Sequence, residues 1–167
     1  MIRLRKILAP LLLSLLLLVT ACAPQSTSRF DQAQQESTQQ KSGQAVSKDA
    51  TQGAQFNKFF PPAGSGYERV YTQEKKGFAQ AKLKKDGKDV ATLSINDTSS
   101  NPDAAAKYQG SSKKIAGYPV KETSKSTAIL VGDRYQVKVQ SRDESFTASD
   151  REAWLQKFNL QGLAGLK

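Results

Sequence analysis

Histidine is missing from the chain altogether, and cysteine occurs once, at position 22. Without imidazole the Ser-His and Cys-His routes to an activated nucleophile are closed, and so are the usual zinc ligand sets. A lone cysteine makes no intramolecular disulfide, so whatever folds here must be stable on its core alone. Long apolar runs are scarce too. The longest, Ile7 to Val19, is interrupted by Pro10 and Ser14 and falls short of the roughly 20 residues that a membrane-crossing helix takes. A glycine-rich phosphate loop is also wanting. Gly64-Ser65-Gly66 follows Pro61-Pro62 with neither the spacing nor the following helix of a nucleotide site, and reads as a hinge.

What is there begins with charge. Arg3, Arg5 and Lys6 precede the short apolar run, the layout of a secretory signal rather than of a permanent anchor. The run ends in Val19-Thr20-Ala21-Cys22, which resembles the lipobox of bacterial lipoproteins: a branched apolar residue, two small ones, then the modified cysteine. The resemblance implies removal of residues 1–21 and acylation of Cys22 with palmitate-type chains. It also implies residence on the exported side of a membrane, facing the periplasm, the outer membrane or a thylakoid lumen. Two or more acyl chains give the stable anchoring that one chain does not.

Residues 22–55 are rich in Gln, Ser, Thr and Ala, with Phe30 and Val46 the large apolar residues before Phe56. Such a composition buries too little surface to offset chain entropy, and is expected to be a flexible tether placing the domain on the order of 30 Å from the membrane. Residues 56–167 are a common size for one domain. Of the net charge of +10, the signal holds +3 and the tether balances, leaving +7 in this domain.

Within it, Tyr67–Gln73 alternates like a strand, and Phe78–Lys84 sets Ala79, Ala81 and Leu83 against Gln80, Lys82 and Lys84. Asp86-Gly87 supplies a tight hairpin turn into Asp89–Ile95. Asn101-Pro102-Asp103 opens a short helix that Gly110 ends. Lys113–Thr123, broken at Gly117-Tyr118-Pro119, is expected to be an edge or bent strand. Thr127–Val131 and Arg134–Gln140 pair through Gly132-Asp133, and Ile129-Leu130-Val131 suits a strand covered on both sides. Ser149 and Glu152 make a capping-box pattern before a helix carrying Trp154, Leu155 and Phe158. The expected class is α+β, a single antiparallel sheet in the order βββα-βββα. This layout is similar to that of small domains of the PsbP/Mog1-like group.

With imidazole gone, what remains for an enzyme is carboxylate pairs, Ser-Lys pairs or tyrosine. Asp86 with Asp89, Asp97 with Asp103 and Asp143 with Glu144 all fall in turns, where turn chemistry explains them. Asn96-Asp97-Thr98 offers oxygen ligands without the spacing of a known calcium loop. No metal, cofactor or catalytic residue is expected. The positive feature is a basic hairpin of Lys75, Lys76, Lys82, Lys84, Lys85 and Lys88, with Lys113 and Lys114 expected nearby. Lysines there either keep a sheet face soluble or dock an anionic surface, lipid or acidic protein. Nucleic acid is not an expected partner of an exported domain whose aromatics do not interleave with its lysines. Phe56, Phe59, Phe60 and Trp154 are expected in the core. The function that follows is a non-enzymatic, membrane-anchored binding or assembly module. The rival is a small-ligand binder, or an enzyme without histidine, using a cleft between sheet and helix with Tyr118 or Tyr135 at its mouth.

Overall fold

The computed structural model describes residues 46–166; the signal, Cys22 and the first part of the tether lie outside them. Seven strands form one antiparallel sheet: β1 (Tyr67–Lys75), β2 (Phe78–Lys85), β3 (Lys88–Asp97), β4 (Lys114–Ile115), β5 (Tyr118–Glu122), β6 (Ser126–Val131) and β7 (Tyr135–Ser141). Their spatial order is β1-β2-β3-β7-β6-β5-β4, so two meanders meet along the β3–β7 ladder. Among the described residues three short α-helices accompany the sheet: α1 (Pro102–Ala106), α2 (Ala148–Gln156) and α3 (Leu160–Ala164).

Alternation builds the sheet and tight turns fold it. Asp86 and Gly87 take φ of 50° and 77°, and Gly132 and Asp133 take 59° and 56°, the paired positive angles that match a hairpin to strand twist. A third turn of this kind was not expected. Ala116 and Gly117, at 49° and 85°, split the expected bent strand into the β4–β5 hairpin, with Ile115 opposite Tyr118. The observed order is therefore βββαββββαα rather than βββα-βββα. Both versions are an α+β fold with a mostly antiparallel sheet.

One face of the sheet carries the core. Ala79, Ala81 and Leu83 of β2, Leu93 and Ile95 of β3, Val137 and Val139 of β7 and Ile129 and Val131 of β6 are all fully buried on it. A 3₁₀ helix, Gly53–Phe59, brings Phe56, Phe59 and Phe60 under this face, where Phe56 meets Tyr135 edge-on at 5.8 Å and Phe60 meets Phe158 at 5.3 Å. α2 adds Trp154 and Leu155, and α3 adds Leu160 and Leu163. Each such side chain contributes roughly 1.5–3 kcal/mol by leaving water. The opposite face of β6 is covered as well: Ala128 and Leu130 pack with Tyr108 from the chain just after α1.

Two local details differ from expectation. α2 starts on a capping box, but its members are Thr147 and Asp150, not Ser149 and Glu152; Phe158 lies past the helix end. Packing also begins before Phe56. Ala50 and Thr51 are buried, the Thr51 N–H donates to Asp97 Oδ2 at 2.9 Å, and the Thr51 carbonyl accepts from Gly77 N–H at 2.7 Å. Among the described residues no helix is long and apolar enough to cross a membrane.

Candidate functional site

Strand geometry divides the six hairpin lysines. β2 advances about 3.3 Å per residue, so the turn carrying Lys75 and Lys76 and the turn carrying Lys85 and Lys88 stand roughly 23 Å apart. Between them, Lys82 and Lys84 point away from the core, opposite Val70 and Glu68 of β1. Both reach Asp89, which bridges them. Lys85 falls beyond a register shift and turns to the core side, its ammonium 5.5 Å over the Tyr67 ring. Lys75 sits over Phe78, Lys76 donates to the Lys48 carbonyl at 2.6 Å, and Lys88 pairs with Asp143 at 2.5 Å. Lys113 and Lys114 are not neighbours of this hairpin. They occupy the far edge of the sheet, where Lys113 pairs with Glu122 and Glu152.

What survives of the basic hairpin is part of a larger surface. The outer face of β1, β2, β3 and β7 presents Glu68, Val70, Gln80, Lys82, Lys84, Thr92, Ser94, Asn96, Gln136, Lys138 and Gln140 in register. On β3, Thr92 and Ser94 are buried, and the exposed part of this face lies on β1 and β2, at Glu68, Val70 and Lys82. Val70 is 43% exposed and is the one large apolar side chain so exposed among the described residues.

A second site lies at the end of the sheet, between α2 and the β5–β6 turn. A cleft of about 360 Å³ is lined by Ser124, Lys125, Ser141, Arg142, Asp143, Glu144, Phe146, Thr147, Ala148 and Arg151. That volume is at the lower end of the ~300–1,000 Å³ typical of small-molecule sites. Arg151 is among the lining residues and is only 5% exposed. Its Nε donates to Thr127 Oγ1 at 3.0 Å and its Nη1 to Ser141 Oγ at 2.9 Å; Ser141 in turn donates to the Phe146 carbonyl. Among the described residues, Arg151 has no carboxylate within ion-pair distance, and its Nη2 has no protein acceptor. Arg142 is exposed beside it, with Nε held by Thr92 Oγ1 at 2.8 Å.

No family model, no curated protein and no solved structure matches the chain. The sites therefore stand on their geometry. Of the two lining carboxylates, Asp143 is already committed: Lys88 above all, then the Ser145 hydroxyl and N–H, hold its pKa well below the usual range. The other, Glu144, is exposed and makes no ion pair among the described residues. The balance in the cleft is cationic.

The carboxylates considered for acid/base work are placed structurally. Asp86 shapes a turn, Asp89 bridges two lysines, and Asp97 is buried against Arg134. Asp97 accepts from Arg134 Nε and Nη2, Thr51 N–H and Ser99 N–H, so its lone pairs are occupied. Among the described residues there is no grouping of three or more acidic, histidine or cysteine side chains that could hold a metal ion. Tyr135 is fully buried, its hydroxyl shared between Thr51 Oγ1 and the Leu166 carbonyl, and Tyr118 is half-buried; neither lines the cleft.

Sequence reading missed Lys125, Arg142 and Arg151. They come from three separate elements, and Arg151 stands in a polar stretch, Ser149-Asp150-Arg151-Glu152, that gives no sign of burial. The one available signal was their common position next to turn residues at the same end of β6, β7 and α2.

Proposed function

We propose that the protein is a lipid-anchored, non-enzymatic binding module, held at the membrane by acylated Cys22 and docking an acidic protein of that membrane through its open sheet face. The observation that carries this reading is the exposed outer face of β1 and β2, with Lys82, Lys84 and exposed Val70 side by side. An acidic protein fits better than bulk lipid. Asp89 cancels one of the two hairpin charges, and lipid adhesion rises only by about 1 kcal/mol per free lysine, whereas a shaped partner exploits a flat patch with a single apolar centre. The lack of imidazole and the commitment of the buried carboxylate to Arg134 support a binding role over catalysis.

The test is cross-linking of the full chain in its own membranes, compared with the Lys82→Gln/Lys84→Gln variant. A stoichiometric partner lost from the variant is expected; equal capture by both sinks the docking face. Lys85, on the other side of the sheet, serves as the control position. Cys22→Ser should yield an unprocessed or soluble chain, and a variant still processed and membrane-bound would sink the anchor. A second reading, ligand binding, is favoured by one observation: the cleft between α2 and the sheet end, lined by a buried arginine.

A further inference from the structure

Arg151, a residue only 5% exposed, carries a full charge into a region of low polarisability, and such a charge is costly unless an opposite charge meets it. Arg151 is met by two hydroxyls, Thr127 and Ser141, which are neutral. Its Nη2 has no protein acceptor among the described residues, and Arg151, Lys125 and Arg142 all line the cleft. Three cationic side chains thus converge on a cavity in which one carboxylate is tied to Lys88 and the other is exposed. The N-cap Thr147 and the first residue, Ala148, of the nine-residue α2 line the cleft, adding the positive end of a helix dipole; Asp150, the other member of the capping box, offsets part of it.

We propose that this cleft is a binding site for a phosphate group carried on a small organic body. Charge-assisted bonds from guanidinium to oxyanion are the strong kind, and Arg151, Arg142 and Lys125 with the Ser124 hydroxyl bring donors from separate elements, which suits an anion with oxygens in three directions better than a planar carboxylate; Ser141 and Thr147 line the space but already give their protons to the Phe146 carbonyl and Asp150. The cleft exceeds a bare phosphate in size, and Phe146 and Ala148 give it an apolar wall for the remainder of the ligand. The phosphate is either that of a soluble monoester or that of a lipid headgroup at the anchoring membrane. This deepens the ligand-binding reading and is independent of the docking face, since neither Lys82 nor Lys84 lines the cleft.

The experiment is calorimetric titration of the full chain, in detergent micelles, with glycerol phosphate, inorganic phosphate and acetate, and flotation with vesicles of phosphatidylglycerol in phosphatidylcholine. The comparison variant is Lys125→Gln/Arg142→Gln, whose sites are exposed and leave the core untouched; an unchanged melting temperature without ligand establishes its fold. Saturable binding of glycerol phosphate that weakens about tenfold in the variant supports the site. Variant-sensitive flotation on phosphatidylglycerol without binding of soluble phosphates supports it with the headgroup as source. Absence of saturable binding in both arms, equal affinity of the variant, or acetate binding as tightly as glycerol phosphate overturns it. The Lys82→Gln/Lys84→Gln variant should bind glycerol phosphate as the native chain does, so failure of the docking face and failure of this site are read separately.

Discussion

Replacing Asp97 by Ala removes the acceptor on which four donors converge, and the cost can be worked from the contacts. Two of the donors are backbone N–H groups, of Thr51 and Ser99, and two belong to the Arg134 guanidinium, at 3.1 and 2.8 Å. Breaking a buried ion pair from one side costs about 3–5 kcal/mol. The Arg134 side chain is 31% exposed and regains water, which brings the figure to the lower end, about 3 kcal/mol. In a domain of roughly 120 residues that lowers the melting temperature by about 12 °C. Thermal and urea unfolding, followed by Trp154 fluorescence at pH 7, measures it. The effect has a pH signature. Burial acts to raise the Asp97 pKa, but the Arg134 bonds and the Thr51 and Ser99 N–H groups outweigh it and hold the carboxyl well below its ordinary range. A depressed pKa means stability that is fully present above the unfolded value of about 3.9 and is lost as pH falls through the folded value. The gap between native and variant should therefore shrink to less than half between pH 5 and pH 2. A variant within about 1 kcal/mol of native at pH 7, or a gap that does not narrow in acid, refutes the reasoning.

Two further substitutions probe the packing that positions the sites. A Cβ on Gly53 would lie 2.5 Å from the Lys75 carbonyl oxygen and 2.6 Å from that of Phe78, both backbone, so Gly53→Ala should push the 3₁₀ helix off the β1–β2 turn. A loss of several kcal/mol in urea melts is expected, as for overpacking with no flexible neighbour to yield, and a neutral result would contradict this contact. Thr147→Ala removes the cap of α2 and should cost about 1 kcal/mol, with weaker glycerol phosphate binding at the cleft it lines; unchanged melting would show the cap to be idle.

Much of the sheet was legible because its rules are local. Period-two alternation marked β1, β2 and β7, and Asp86-Gly87 and Gly132-Asp133 marked two of the tight turns. The β4–β5 hairpin escaped because its turn places Ala116 at positive φ, a conformation that costs an alanine energy and that no residue pattern announces. The cap of α2 was misplaced by two residues because Thr147/Asp150 and Ser149/Glu152 both fit the pattern, and tertiary packing of buried Phe146 just before the cap decides between them. The candidate sites were less legible than the fold. Lysines close in sequence looked like one patch, but a strand sends neighbours to opposite faces and its two ends far apart. Arginines distant in sequence share a cleft because the β6–β7 ladder and α2 bring their ends together.

The central ladder has a consequence for how the chain comes to be folded. β3 and β7 pair residues that are 38 (Asp97–Tyr135) to 50 (Ala91–Ser141) positions apart, whereas every other ladder joins chain neighbours. The two meanders close cheap local loops and form first, each with one apolar face bare; the long-range join comes late. A chain emerging N-terminus first therefore holds the second edge of β3, from Ala91 to Asp97, unpaired until Tyr135–Ser141 has been made, and the sheet completes only after nearly the whole sequence is out. During that interval its best-matched partner is the second meander of another copy, so exchange of halves between chains is the misassembly this topology invites.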